Sequence, residues 1–157
     1  MADVVETADW SQVLNGAVAS TMVDGMPMGS RKLGNGTIVD IAQQLNLANC
    51  GKPTACTDAE MTAVTMTRPW GVNNPRWKLY ASGALSSVLP GANSGFYVLV
   101  LVGDDSSETD GNPLADAPPD EAGHAVVLLR GLALGPPGAR CTVQLSVARA
   151  GPAVRVI

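Results

Sequence analysis

Acidic residues gather in one stretch of the chain, directly after its most apolar run. Residues 102–113, VGDDSSETDGNP, contain Asp104, Asp105, Glu108 and Asp110. Carboxylate oxygens are ligands that Ca²⁺ prefers in proteins, and a turn-rich loop suits the flexible coordination of this ion. The stretch is therefore either a cation site or a solvated loop at the end of a strand.

The spacing of these acids does not fit an EF-hand. When Gly111 takes the sixth position of that loop, Ser106, Glu108 and Asp110 fall at the first, third and fifth positions. Ala117 then stands where the EF-hand needs a bidentate acid. The EF-hand hypothesis fails for this stretch.

A looser calcium site that uses Asp104, Asp105 and Asp110 stays open as an alternative. The sequence favours a long solvated loop, residues 104–121, which joins two strands and whose charge discourages aggregation of strand edges. We therefore predict no metal site and no cofactor. We also expect the fold to survive a chelator.

The chain has a single histidine, His124. A Ser-His-Asp arrangement needs a histidine that a carboxylate orients and that reaches a nucleophile. His124 begins an apolar run, which indicates a partly exposed residue at the mouth of a strand. The sequence also lacks the GxSxG, HExxH and CxxC motifs and a phosphate-cradling glycine loop. We predict no catalytic residues and a protein that is not an enzyme.

Two cysteines lie close together in NCGKPTAC. A short loop that contains glycine and proline favours closure of Cys50 and Cys56 into a small ring, so we predict a disulfide. The alternative is a pair of free thiols in a cytosolic protein. A zinc site has less support, because Cys141 and His124 are the remaining cysteine and histidine of the chain.

The composition indicates one globular domain, residues 1–157, in which 46% of the residues are hydrophobic. A net charge of −4 without a lysine or arginine cluster argues against a nucleic-acid partner. No apolar run reaches the ~18 residues of a membrane-spanning helix, and the first residues lack the pattern of a signal peptide. As given, the chain is expected to be soluble.

The first half of the chain predicts two helices separated by turns. Val5, Trp10, Val13 and Leu14 share one helical face within residues 4–14. Residues 24–36 are rich in turn formers and should be loop, followed by a short strand, GTIVDIA.

The second predicted helix follows the cysteine pair. Thr57 and Glu60 form the pattern of a capping box, so a short helix should begin after Thr57 and end before Pro69.

The second half predicts an antiparallel sheet. Residues 76–82 alternate, with Trp77, Leu79 and Ala81 on a single buried face, while residues 96–102 are apolar on both faces and should lie centrally. We expect the N-terminal helix to cover one face of that central strand.

Residues 125–134 and 140–148 flank GPPG and should form a β-hairpin. The alternation places Cys141 with Val143 and Val147 on the apolar face, which predicts a small buried core residue.

The three tryptophans, Trp10, Trp70 and Trp77, are predicted to be buried anchors, with Trp10 holding the helix to the sheet. Of the three, Trp70, which lies in the loop RPWGVNNP, is the first candidate for an exception. The alternative is an exposed aromatic patch for a glycan or a partner subunit.

Four segments in order, ADWSQVLNG, RPWGVNNPRWKLYASGAL, YVLVLVGDDSSETDGNP and LLRGLALGPPGARCTVQLSVAR, resemble PilX-like type IV pilus assembly proteins. The resemblance covers most of the chain. It implies an α+β, pilin-like domain, in which the remnant of an N-terminal helix packs on an antiparallel sheet. No apolar helix precedes ADW, so the chain resembles the soluble domain alone.

The resemblance also implies a function. It predicts a structural minor pilin-like subunit of a type IV pilus or pseudopilus, whose partners are other pilins and which reaches the membrane only through the missing helix. The implied location is the periplasm or cell surface, which agrees with a disulfide. The alternative function is a small secreted ligand-binding or adhesin module.

Overall fold

The structure is a computed structural model that describes residues 9–34, 36–92, 94–136, 138–150 and 153–157. The α-helices, in chain order, are α1 (Trp10–Leu14), α2 (Ile41–Cys50), α3 (Asp58–Thr62) and α4 (Leu85–Val88). The strands are β1 (Ser30–Lys32), β2 (Ile38–Asp40), β3 (Lys78–Ala84), β4 (Tyr97–Asp104), β5 (Val126–Leu134), β6 (Arg140–Ala150) and β7 (Ala153–Val156). A short 3-10 helix, Gly71–Asn73, precedes β3.

The main sheet is a five-stranded meander in the order β3-β4-β5-β6-β7. Each strand pairs antiparallel with the next. The fold is therefore α+β with an antiparallel sheet, as predicted. A separate antiparallel ribbon joins β1 to β2. In the part of the chain that the structure describes, no helix has the length and apolar character needed to cross a membrane.

Helices cover both faces of the central strand β4, because its apolar side chains point alternately to each side. On the α1 face, helix α1 packs with β3, β4, β5 and β6; the buried cluster is Trp10, Val13, Leu14, Tyr80, Ala81, Val102, Val127 and Val147. On the α2 face, the buried cluster is Val39, Ile41, Leu45, Ala48, Trp77, Tyr97, Leu99, Leu101, Leu128, Leu132 and Leu134. The prediction that an N-terminal helix covers one face is confirmed.

In the residues that the structure describes, helix α1 covers residues 10–14 of the predicted range 4–14. Asp9 is its N-cap, since the Asp9 side chain accepts a hydrogen bond from the Ser11 amide at 3.0 Å. The helix ends at Asn15, as the Asn-Gly pair indicates. The expected contribution of Val5 lies outside the described residues.

Helix α2 was not predicted, because GTIVDIA was interpreted as a strand. The strand is only Ile38–Asp40, and it pairs with Ser30–Lys32 inside the stretch that was expected to be loop. Asp40 ends the strand and caps the helix, accepting from the Gln43 amide at 2.9 Å. The helix ends at Gly51, whose φ of 78° is left-handed.

Strand β3 carries a β-bulge that the alternation did not reveal. The register shifts between Leu79 and Ala81, so the extra residue is Tyr80. Trp77 packs on the α2 face, as does Leu79 in part, whereas Tyr80 and Ala81 both belong to the α1 cluster. The prediction that Ala81 shares a face with Trp77 is therefore wrong, and β3 is buried on both sides.

The predicted hairpin across residues 135–138 is confirmed, with Leu134 opposite Arg140. The prediction of a buried Cys141 is wrong, because its side chain is exposed. Helix α1 covers the opposite end of β6, where Val147 is buried, and Val143 is exposed like Cys141. The final strand β7 was not predicted.

Candidate functional site

The acidic loop, residues 104–121, begins inside the core. Asp104 is the last residue of β4 and only 3% exposed, Glu108 is 2% exposed, and Ser106 is also buried. The prediction of a solvated loop is therefore wrong for these three side chains. Asp104 continues the alternation of Val100 and Val102, and this period of two was the signal in the sequence that could have placed it inside.

The other acids of the loop shape its backbone. Asp105 accepts from the Ser107 amide at 3.3 Å and from the Ser107 hydroxyl at 2.5 Å. Asp110 accepts from the Asn112 amide at 2.8 Å. Such contacts stabilise turns and occupy carboxylate oxygens locally.

Burial changes the acidity of the two inner carboxyl groups. Loss of solvent, with a smaller contribution from the charge of the neighbouring Glu108, raises the pKa of Asp104 to about 9. Burial likewise raises the pKa of Glu108 to about 7. Burial therefore favours a proton retained on the Asp104–Glu108 pair.

Few hydrogen-bond donors surround this pair. Among the described residues, no donor meets Asp104 Oδ1 or the carboxylate oxygens of Glu108 with good hydrogen-bond geometry. The backbone of Asp105 and of Ala117 lowers the pKa of Asp104 and of Glu108, respectively, but burial has the larger effect on both. A proton retained on one carboxyl group turns the contact between the two side chains into a hydrogen bond, which lowers the cost of burying them. The pair is a proton-holding site in the core.

Asp104, Asp105 and Asp110, the ligands of the alternative calcium site, are not brought together by the loop. Asp104 is buried against Glu108, while Asp105 and Asp110 are engaged in separate turns. Among the described residues, no group of three or more His, Cys, Asp or Glu side chains is placed to hold a metal ion.

A glycine closes over the buried pair. Gly123 has a left-handed φ of 87°, and a Cβ at this position would lie 2.5 Å from Glu108 Cγ and 3.2 Å from Asp105 Oδ2. A side chain at residue 123 would therefore collide with Glu108. Asn73 fixes the same part of the loop from the other side, because its side-chain amide donates to the Glu108 carbonyl.

His124 is half-buried and lies two residues before β5, as the sequence predicted. Its imidazole lies beside Asp116. Its Nδ1 lies 2.6 Å from the Ala117 carbonyl, to which a protonated Nδ1 donates, and 3.4 Å from Asp116 Oδ2. Asp116 Oδ1 accepts from the Ala125 amide at 2.8 Å, and burial raises the pKa of Asp116. These contacts close the loop onto the start of β5.

The predicted disulfide is present between Cys50 and Cys56. It links the last residue of α2 to the segment before α3. Thr57 and Glu60 form the predicted capping box at the start of α3. Lys52 inside the disulfide loop forms an ion pair with Glu60, and this contact is the first cause of a Glu60 pKa lowered to about 2.

The prediction of buried tryptophans is confirmed for two of the three and wrong for Trp70. Trp10 and Trp77 are buried, and Trp70 is 46% exposed. Three further apolar side chains of the same segment are exposed; the apolar loop patch is Val64, Met66, Trp70 and Val72. All four side chains lie within one segment, residues 64–72.

Comparison of the chain with protein-family models finds no match, and comparisons with curated proteins and with solved structures find none either. A function must therefore be argued from the residues and their geometry.

Proposed function

We propose that this domain is a structural, non-catalytic subunit of a type IV pilus or pseudopilus, similar in role to a minor pilin. The observation that carries the proposal is the packing of α1, the first described element, on an antiparallel sheet through Trp10. The PilX-like proteins that the sequence resembles place a sheet against an N-terminal helix in the same way.

The disulfide gives the proposal a second support, because it suits a particular cellular compartment. A disulfide between Cys50 and Cys56 suits the periplasm or cell surface, where such bonds form and persist. We therefore propose a location in the cell envelope, with other pilin subunits as partners.

The first test is genetic and uses the organism that carries the gene. Deletion of the gene should reduce the number of surface pili seen by electron microscopy, and the wild-type gene should restore it. The protein should be found in sheared pili by immunoblotting. Normal piliation in the deletion strain, with the protein free in the culture medium, would refute the proposal.

A second candidate function is a secreted ligand-binding or adhesin module, favoured by the apolar loop patch around Trp70. The variant Trp70→Ala separates the two functions. A subunit of the filament should still restore piliation with this substitution, whereas an adhesin should lose binding to its surface while the number of pili stays unchanged.

A further inference from the structure

An open cavity lies on the α2 face, between the end of α2, the segment after α3 and strand β5. Its volume is about 420 Å³. Its walls include Thr65, Thr67, Arg68 and Arg130, together with the Cys50 end of α2. Arginine and threonine side chains supply hydrogen-bond donors, so the cavity suits a ligand that carries hydrogen-bond acceptors.

Positive charges crowd this cavity. Burial lowers the pKa of the Arg68 guanidinium, and the charges of Arg76 and Arg130 lower it further. Burial also lowers the pKa of Arg130, with a further contribution from the charge of Arg140. The two arginines of the cavity wall, Arg68 and Arg130, therefore lie among like charges, of which Arg76 and Arg140 stand outside the wall.

The nearby carboxylates do not neutralise these charges. Arg76 Nη2 lies 3.9 Å from Asp58 Oδ1, but the Asp58 side chain is 94% exposed, so water screens this pair. Glu60 lines the cavity but is bound to Lys52 and Thr57. The cavity wall therefore carries an excess of positive charge.

Two arginines line the cavity, and their contacts show which of their hydrogen-bond donors are still available. Arg68 Nη1 donates to the carbonyls of Ala48, at 3.0 Å, and Asn49, and its Nη2 donates to those of Met61, at 2.7 Å, and Pro75, at 3.4 Å. These contacts fix the guanidinium and leave Nε as its donor without an acceptor among the described residues. The Arg130 guanidinium lies 5.7 Å from the centre of the Trp77 ring.

Donors remain unused at this site. In the described part of the chain, Nε of Arg68 and Nε of Arg130, the two arginines of the cavity wall, are buried without a hydrogen-bond acceptor. Buried donors without a partner are costly, and guanidinium donors in a fixed plane match the oxygens of phosphate or sulfate. An anion in the cavity would accept hydrogen bonds from these donors, and its negative charge would balance that of the arginines.

We propose that this cavity binds a tetrahedral oxyanion, phosphate or sulfate, through Arg68 and Arg130 with the hydroxyl groups of Thr65 and Thr67 as further donors. The oxyanion is either the free inorganic ion or a group carried on a larger ligand. This inference does not depend on the pilus assignment, because it concerns a different face of the domain from the packing of α1.

The test is calorimetric titration of the protein with inorganic phosphate, inorganic sulfate and a sulfated disaccharide, with sodium chloride at matched ionic strength as the reference. We expect one binding site per chain and an increase in the melting temperature beyond that in chloride. Tighter binding of the disaccharide would show that the group is carried on a ligand, and equal binding would identify the free ion.

The variant Arg130→Gln should weaken binding at least about tenfold, the loss expected when one charge-assisted hydrogen bond is removed. Arg155→Gln, on the exposed strand β7, is the matched control and should bind like the wild type. Thr67→Val provides a second variant at an exposed wall position in case Arg130→Gln does not fold. Absence of binding beyond chloride, or equal binding by wild type and both cavity variants, would overturn the proposal.

Discussion

The guanidinium of Arg149 lies 4.7 Å from the centre of the Trp10 ring. This cation-π contact joins strand β6 to helix α1 on the α1 face of the sheet. Trp10 also packs in the buried cluster that contains Tyr80 and Val102. One side chain thus connects the short helix to several strands of the sheet.

Trp10→Ala should therefore destabilise the domain strongly. Truncation of a buried tryptophan removes apolar contacts and leaves a cavity, so we expect a loss of ~3–5 kcal/mol in the free energy of unfolding. Urea unfolding followed by circular dichroism measures this loss. Trp70→Ala, at the exposed position, is the control and should cost no more than ~1 kcal/mol. Equal losses in both variants would contradict the packing assigned to Trp10.

Stability should fall as the pH rises, because Asp104 and Glu108 have raised pKa values, about 9 and about 7, that burial causes. The unfolded chain releases these protons near pH 4, whereas the folded protein retains them. Their contribution is therefore fully present below pH ~4 and is lost as the pH rises through ~7 and ~9, by up to ~1.4 kcal/mol per pH unit for each retained proton. Urea midpoints at pH 5, 7 and 9 measure the slope.

Asp104→Asn tests the origin of this pH dependence. The amide carries no titrating proton and can still donate to Glu108, so the decline above pH 7 should become shallower. Asp120→Asn is the matched control on the exposed part of the loop and should retain the wild-type slope, because Asp120 is not among the charges that shift the pKa of Asp104 or Glu108. An unchanged slope in Asp104→Asn would assign the effect to other groups.

Two glycine substitutions should separate steric collision from backbone strain. Gly123 and Gly138 have nearly the same left-handed φ, 87° and 85°. A Cβ at residue 123 would collide with Glu108, whereas nothing lies within 4 Å of a Cβ at residue 138. Gly138→Ala should cost ~1 kcal/mol, and Gly123→Ala should cost a further ~1–3 kcal/mol. Thermal or urea unfolding of the two variants decides whether the loop is packed as described.

Removal of the disulfide should cost ~2 kcal/mol, since Cys50 and Cys56 close a short loop in the unfolded chain. The double variant Cys50→Ser/Cys56→Ser should unfold at a lower urea concentration than the wild type. Cys141→Ser is the control, because that thiol is exposed, and it should change stability by less than ~0.5 kcal/mol. In the folded wild type, Ellman's reagent should react readily with Cys141.

A chelator should leave the fold intact. The sheet forms from apolar alternation on both sides of the acidic loop, and filling of a weak calcium site would add only ~1 kcal/mol by mass action. We expect the melting temperature to be nearly equal in EDTA and in millimolar calcium. A shift of many degrees that Asp104→Ala or Asp110→Ala abolishes would show that the loop is a metal site.

The sequence was sufficient where one local rule decided the structure. The capping box at Thr57, the hairpin across residues 135–138 and the two-sided burial of β4 are such cases. Each depends on a few adjacent side chains whose pattern is visible without the rest of the fold.

The features that the sequence predicted wrongly, or did not predict, depend on tertiary context. Helix α2 begins at Ile41 because Asp40 can cap a helix as well as end a strand. The bulge at Tyr80 reversed the face of Ala81. The buried cluster on the α1 face includes Val147 of β6 but not Cys141, which is exposed. The burial of Glu108 depends on contacts with Asn73 and Gly123, which are distant in the sequence.

The meander order of the sheet has a consequence for folding kinetics. Since each strand of the meander pairs with its neighbour in the sequence, the sheet can grow by successive hairpins with little loop-closure entropy at each step. The contact of Trp10 with Arg149 instead spans nearly the whole chain. Docking of α1 must therefore wait until β6 is in place, so the first described element of the chain is expected to be among the last to reach its native position.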